Sequence, residues 1–115
     1  MHLEGSPFRP NDRVSQLKSA LQRLQLHLAA SEVDPEPADV VVLGDFNSFM
    51  HDSPCWLLRR GRLERGHTDA ICPAVPTTNE TIAHPFALVE ASAGQRRVGS
   101  RMGVDAEMPL LFCVP

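Results

Sequence analysis

Asp45 and Asn47 stand two residues apart, directly after a glycine and a run of apolar residues, Ala38-Asp39-Val40-Val41-Val42-Leu43-Gly44. In an extended segment, residues i and i+2 point the same way. Both side chains can then face one target while Phe46 turns into the core. A carboxylate orients a water molecule or holds a hard cation, and the amide beside it binds a phosphate oxygen or the same cation. Such a pair is one half of a phosphodiester-cleaving site. Ser48 has no histidine or lysine base placed beside it and reads as a turn residue. His51, His67 and Asp69 are scattered over loop-like stretches. The pair His67-x-Asp69 could bind a cation but reads as solvated.

The strand that must position Asp45 is Ala38–Leu43, too short for a helix and rich in β-branched residues. Three successive valines favour burial on both faces. Before it, Val14, Leu17, Leu21, Leu24 and Leu28 recur at spacings of three and four. They form one stripe of a helix that starts with Asn11 or Asp12 as N-cap and ends near Ala30. Gln16, Lys18, Gln22, Arg23, Gln25 and His27 lie on its wet side, so the helix needs a sheet to lie on. Residues 31–37 are acidic and interrupted by Pro35 and Pro37, which stop the helix. A short helix runs from Ser53 to Arg60, with Ser53 as cap, Pro54 in its first turn and Gly61 at its end. Residues 64–82 read mostly as loop. Phe86–Val89 reads as a short strand or packed loop, residues 94–109 as mobile, and Leu110–Val114 as the beginning of a strand.

Gly44-Asp45-Phe46-Asn47-Ser48 after a valine-rich strand resembles the signature of the endonuclease/exonuclease/phosphatase superfamily, of deoxyribonuclease-I-like fold. Other elements follow in that family's order. His2-Leu3 is similar to its T-H-L strand end, and Arg13-x-x-Gln16-Leu17 to its R-x-x-Q-L helix. Leu57-Leu58-x-x-Gly61 is similar to its L-L-x-x-G, and His84-Pro85-Phe86-x-Leu88-x-x-Ala91 to the H-P-F-x-L-x-S-A of its deadenylase branch. That branch includes nocturnin, the Angel proteins and the 2',5'-phosphodiesterases. The resemblance covers residues 2 to 92. It implies an α/β fold, part of a four-layer α/β/β/α sandwich, with residues 1–115 as its central portion only. It also implies a metal-dependent phosphodiester hydrolase of RNA 3'-exonuclease or deadenylase type, using Mg²⁺ or Mn²⁺ on RNA or another phosphodiester. Asp45, Asn47 and His2 would be its catalytic residues, and Asp45 and Asn47 its metal ligands. His2 would lie beside the scissile phosphate and protonate an oxygen. Arg13 and Gln16 would bond to the neighbouring loop, and His84 would be a structural or rim residue.

The departures are equally specific. The family's primary metal-binding glutamate, its later aspartate and its terminal Ser-Asp-His have no counterpart here. Met50 stands where proline is common, and one extra residue lies between Ser48 and Leu57. The alternatives are a truncated, non-catalytic fragment or binding module, and a sister branch acting on phosphoinositides or sphingomyelin. His84-Pro85-Phe86 argues against the sister branch.

The chain has 115 residues, 43% hydrophobic and 22% charged, an ordinary globular composition. A net charge of −3 gives no basic footprint for nucleic acid, although a bound cation can supply local positive charge. Two arginine groups, at 59, 60, 62 and 65 and at 96, 97 and 101, could meet a phosphate backbone. They read more simply as solvated charges, the first complementing a helix end. Cys55, Cys72 and Cys113 form no C-x-x-C pair and are odd in number, which favours reduced thiols in an intracellular, cytoplasmic setting. No stretch approaches the ~20 apolar residues of a membrane span, and no secretory signal is visible. The apolar end Phe112-Cys113-Val114-Pro115 reads as a cut through a longer protein.

Overall fold

The computed structural model describes residues 1–30, 40–90 and 110–113, the last four by backbone alone. The acidic connection, residues 38 and 39, the segment 91–109 with its three arginines, and the Cys113 side chain lie outside the described residues.

Helix α1 spans Pro10–Ala30. It opens earlier than the Asn11 or Asp12 cap expected, because Pro10 suits a first helical turn and the Arg9 amide already closes a turn on the Ser6 carbonyl at 3.2 Å. Val14, Leu17 and Leu21 are buried, while Leu24 and Leu28 are only partly covered. Helix α2 spans Ser53–Arg60, as the sequence predicts. Its N-cap is Asp52 rather than Ser53. The Asp52 carboxylate accepts the Phe49 amide at 2.9 Å and so folds the preceding loop back. Gly61 ends α2 in the left-handed conformation at φ 73°, its amide donating to the Leu57 carbonyl at 2.8 Å. Glycine adopts this geometry without the Cβ penalty.

Strand β1 is Val41–Gly44. The short pair β2 (Arg62–Leu63) and β3 (Ile82–Ala83) is antiparallel, Leu63 opposite Ile82, and leads the chain out of α2 and back. The intervening loop is drawn together by a bridge between Thr68 and Pro76. Strands β4 (Val89–Glu90) and β5 (Leu110–Cys113) join β1 in an antiparallel sheet of order β1-β5-β4. The strand readings near Val89 and Leu110 agree with this, though Phe86–Leu88 is loop. Met1–Leu3 adds along β1 in parallel. The Met1 amino group donates to the Leu43 carbonyl, the Asp45 amide to the Met1 carbonyl and the Leu3 amide to the Asp45 carbonyl, each at 3.0 Å.

One cluster joins the inner side of this sheet to both helices. Leu3, Val40, Val42, Phe46 and Leu88 pack with Val14, Leu17, Leu21, Cys55, Leu57, Leu58, Leu63 and Ile82. The other side is open among the described residues. Val41 is 52% exposed, Leu43 57% and Val89 55%, and Leu111 and Cys113 hold the register positions opposite Leu43 and Val41. The expectation that the valine run is buried on both faces is therefore corrected. β-Branching favours the strand whichever side is covered, and only Val40 and Val42 have a layer beside them. The observed class is mixed α/β with helices on one face of the sheet.

Candidate active site

Gly44 sets the site. A Cβ there would run into the Met1 carbonyl oxygen, so only glycine lets the first residues lie against the end of β1. That approach makes His2 the parallel partner of Asp45. Their side chains are 75% and 55% exposed, with His2 Nε2 3.9 Å from Asp45 Oδ2. The gap is too long for a direct hydrogen bond and wide enough for one shared oxygen.

Asn47 reaches the same place by a different route from the one the sequence suggests. The segment does not stay extended: Asn47 has φ 46°, a left-handed conformation that asparagine tolerates better than most residues. Two bonds hold it. Its backbone amide donates to Asp45 Oδ1 at 2.9 Å, and its side-chain Nδ2 donates to the Leu3 carbonyl at 2.8 Å. The first bond leaves Asp45 Oδ2 as the outward oxygen; the second leaves Asn47 Oδ1 as an acceptor uncommitted among the described residues. Phe46 is buried, as expected. Ser48 donates its hydroxyl to the Phe46 carbonyl at 2.8 Å, the turn role expected of it.

Asp45 Oδ2 and Asn47 Oδ1 thus offer a carboxylate and an amide oxygen, and His2 Nε2 offers a nitrogen 3.9 Å from the first. For Mg²⁺ or Mn²⁺ this is part of a coordination shell, since such ions take one or two carboxylates and fill the remainder with water or substrate oxygens. Among the described residues no group of three or more His, Cys, Asp or Glu could hold a metal. Two grooves of ≈ 260 and ≈ 480 Å³ lie between α1 and residues 76–84, and neither is lined by Asp45, Asn47 or His2. The pair stands instead at the rim of the open sheet face, in line with Val41 and Leu43.

A second polar cluster lies on the covered side. Asp69 is 2% exposed and Arg13 equally so. Asp69 Oδ2 meets Arg13 Nη2 at 3.4 Å, while Oδ1 accepts the Ser53 amide at 2.8 Å and the Ser53 hydroxyl at 2.5 Å. Asp69 therefore ties α1 to the first turn of α2. The reading of His67-x-Asp69 as solvated is corrected on this point. Nothing in the spacing of Asp69 and Ser53 announces the contact, because it runs through a loop. Arg13 also donates to the Ser6 carbonyl at 2.5 Å, and Gln16 Oε1 accepts the Glu4 amide at 2.8 Å. Both bonds are the loop-anchoring work expected of that helix. Arg13 Nε has no partner among the described residues.

Burial acts on the nearby titratable groups. It raises Asp52 above the ordinary carboxylate value, the Phe49 amide partly opposing it. It pushes the Cys55 thiol up to about 12, so this cysteine is inert at neutral pH. Among the described residues Cys55 and Cys72 are free thiols, as the cysteine pattern suggests. His84 is held below the usual histidine value by burial, opposed by its contact with the Leu57 carbonyl at 2.9 Å. Its Nδ1 accepts the Phe86 amide at 3.2 Å, so the neutral Nε2–H tautomer satisfies both neighbours. The structure uses His84 to fasten the end of α2 to the loop before β4.

No protein-family model matches the chain, and no curated protein matches it in sequence. Among solved structures, 98% of the chain superposes on ANGEL2, described as a 2',3'-cyclic phosphatase and crystallised with adenosine-2',3'-vanadate. The TM-score is 0.65 at 16% sequence identity, so the likeness is one of fold. The chain spans 43% of that protein's length. No helix among the described residues is long and apolar enough to cross a membrane. The conclusion these findings carry is a fold like that of a part of ANGEL2, with Asp45, Asn47 and His2 gathered at the rim of its uncovered sheet face.

Proposed function

We propose that this chain carries the Asp45 end of a divalent-metal-dependent phosphodiester hydrolase acting on RNA, in the manner of a 3'-exonuclease or deadenylase. The observation that supports the reading is the convergence of His2, Asp45 and Asn47 on one rim within an ANGEL2-like fold. Asp45 Oδ2, fixed by the bond from the Asn47 amide to its other oxygen, orients the attacking water and draws its proton. Asn47 Oδ1 and the same carboxylate would hold Mg²⁺ or Mn²⁺. When bound, that ion supplies Lewis-acid polarisation of a phosphoryl oxygen. His2 donates a ring N–H to a phosphoryl oxygen as negative charge builds there. In that reading the exposed Val41, Leu43 and Val89 would take a second sheet of a four-layer sandwich, which would supply further ligands at this rim.

The test is hydrolysis of labelled oligo(A), with a 2',3'-cyclic nucleotide as second substrate, in Mg²⁺ and in EDTA. Activity should require the metal and should fall by about 10²–10⁴ in Asp45→Asn, with the circular-dichroism melt unchanged. Turnover that survives both EDTA and Asp45→Asn overturns the proposal. A second reading, a non-catalytic fragment or binding module, is favoured by the incomplete ligand group and the open face. Mn²⁺ separates the two. Selective NMR broadening of the Asp45 and Asn47 amides, lost in Asp45→Asn, supports the enzymatic reading; its absence together with no turnover supports the binding module.

A further inference from the structure

We propose that Trp56, Arg60 and His67 form a contact for a base and phosphate of single-stranded nucleic acid, separate from the Asp45 rim. It rests on the phosphodiester reading and places part of the substrate strand. Trp56 and Arg60 are one helical turn apart on α2, with the Arg60 guanidinium carbon 5.2 Å from the centre of the indole. The neighbouring arginines have acidic partners: Arg59 meets Glu90 at 3.5 Å and Arg62 meets Glu64 at 2.5 Å. Arg60 and Arg65 have no carboxylate partner among the described residues, and both are exposed. The cluster therefore holds uncompensated positive charge within an acidic chain.

His67 adds a directed nitrogen. Its ring centre lies 5.7 Å from that of Trp56, and its Nδ1 is 2.8 Å from the Ser53 hydroxyl oxygen. That hydroxyl has one proton. It faces Asp69 Oδ1 at 2.5 Å, where only a shared proton makes the approach favourable. Ser53 therefore donates to Asp69 and accepts from His67 Nδ1–H, which fixes the ring and leaves Nε2 for a ligand. The Thr77 hydroxyl donates to the Ser53 oxygen, 2.7 Å away, and the Thr77 amide donates to the His67 carbonyl at 2.8 Å, which completes the anchor. A half-buried indole, an exposed guanidinium lying over its ring and an anchored imidazole suit one unpaired base and its phosphate. A duplex needs a longer stripe of cations, which a net charge of −3 does not provide.

Trp56 is the one tryptophan and the chain has no tyrosine, so the indole emission reports this place alone. Titration with a 12-nucleotide oligo(A) RNA in EDTA should quench it saturably. Arg60→Ala should weaken binding about tenfold, within what one stacked contact contributes. His67→Asn, whose amide can still donate to Ser53, should weaken binding too without shifting the thermal melt. Quenching that both variants leave intact overturns the proposal, as does quenching by phosphatidylserine vesicles and not by RNA. Asp45→Asn separates this contact from the catalytic reading. Arg60-dependent binding that persists without metal-dependent hydrolysis leaves the contact standing and removes the enzyme. Hydrolysis of a 2',3'-cyclic mononucleotide with Arg60-independent RNA binding does the reverse.

Discussion

Asp69 and Asp45 are both carboxylates at the edge of loops, yet the fold treats them in opposite ways. Asp69 is buried on the helical side, with one oxygen on Arg13 and the other on two donors of Ser53. Its charge is fully committed, so it joins α1 to α2 and has no oxygen left for a substrate. Asp45 keeps one oxygen bonded to Asn47 and presents the other near His2, more than half exposed. The carboxylate with bonding capacity to spare is the one that can meet a substrate. The same division runs through the sheet, which commits Val40 and Val42 to the core and leaves Val41 and Leu43 uncovered.

Substitution can break this contrast directly. Asp69→Ala strands Arg13 in the interior and removes the acceptor for the first turn of α2. It should cost about 3–5 kcal/mol, read from urea unfolding, whereas Asp45→Ala should stay within about 0.5 kcal/mol. Equal losses would mean that Asp45 is a structural carboxylate after all. The two sheet faces give the next comparison. Leu57→Ala should cost about 2–5 kcal/mol, and Leu43→Ala about 0.5 kcal/mol or less. A large Leu43 effect would show that something covers the open face in solution. Gly61→Ala places a Cβ in the left-handed cap of α2 and should lower stability by about 1–2 kcal/mol, seen as a lower melting temperature with native helix content.

The smallest effect expected is one of pH. His84 is held below its ordinary value when folded, so the unfolded chain binds more protons near and below pH 6.5. The stability it supports is complete above 6.5 and is lost as pH falls from there through the lower folded value. His84→Gln should flatten that part of the stability profile, and an unchanged profile would remove His84 from the account.

Local chemistry made much of this legible. Pro54 and Gly61 bracket α2, and the leucine stripe marks α1, because propensity and periodicity act over a few residues. Asp45 and Asn47 could be picked out because they follow a short β-branched run. Their arrangement could not: it depends on the left-handed turn at Asn47 and on the carbonyl of Leu3, a neighbour supplied from the other end of the segment. The Asp69 cluster was illegible for the same reason, since its members come from α1, α2 and a loop, with no regular spacing between them.

The amino-acid sequence by itself determined the two helices and a strand leading to Gly44, because steric and hydrogen-bonding preferences among near neighbours fix such pieces. Only the tertiary structure decided which side of the valine strand is covered, which of two aspartates is sealed in, and that His2 comes to stand beside Asp45. Burial and pairing depend on what packs across long stretches of chain, and residue type alone does not specify that neighbour.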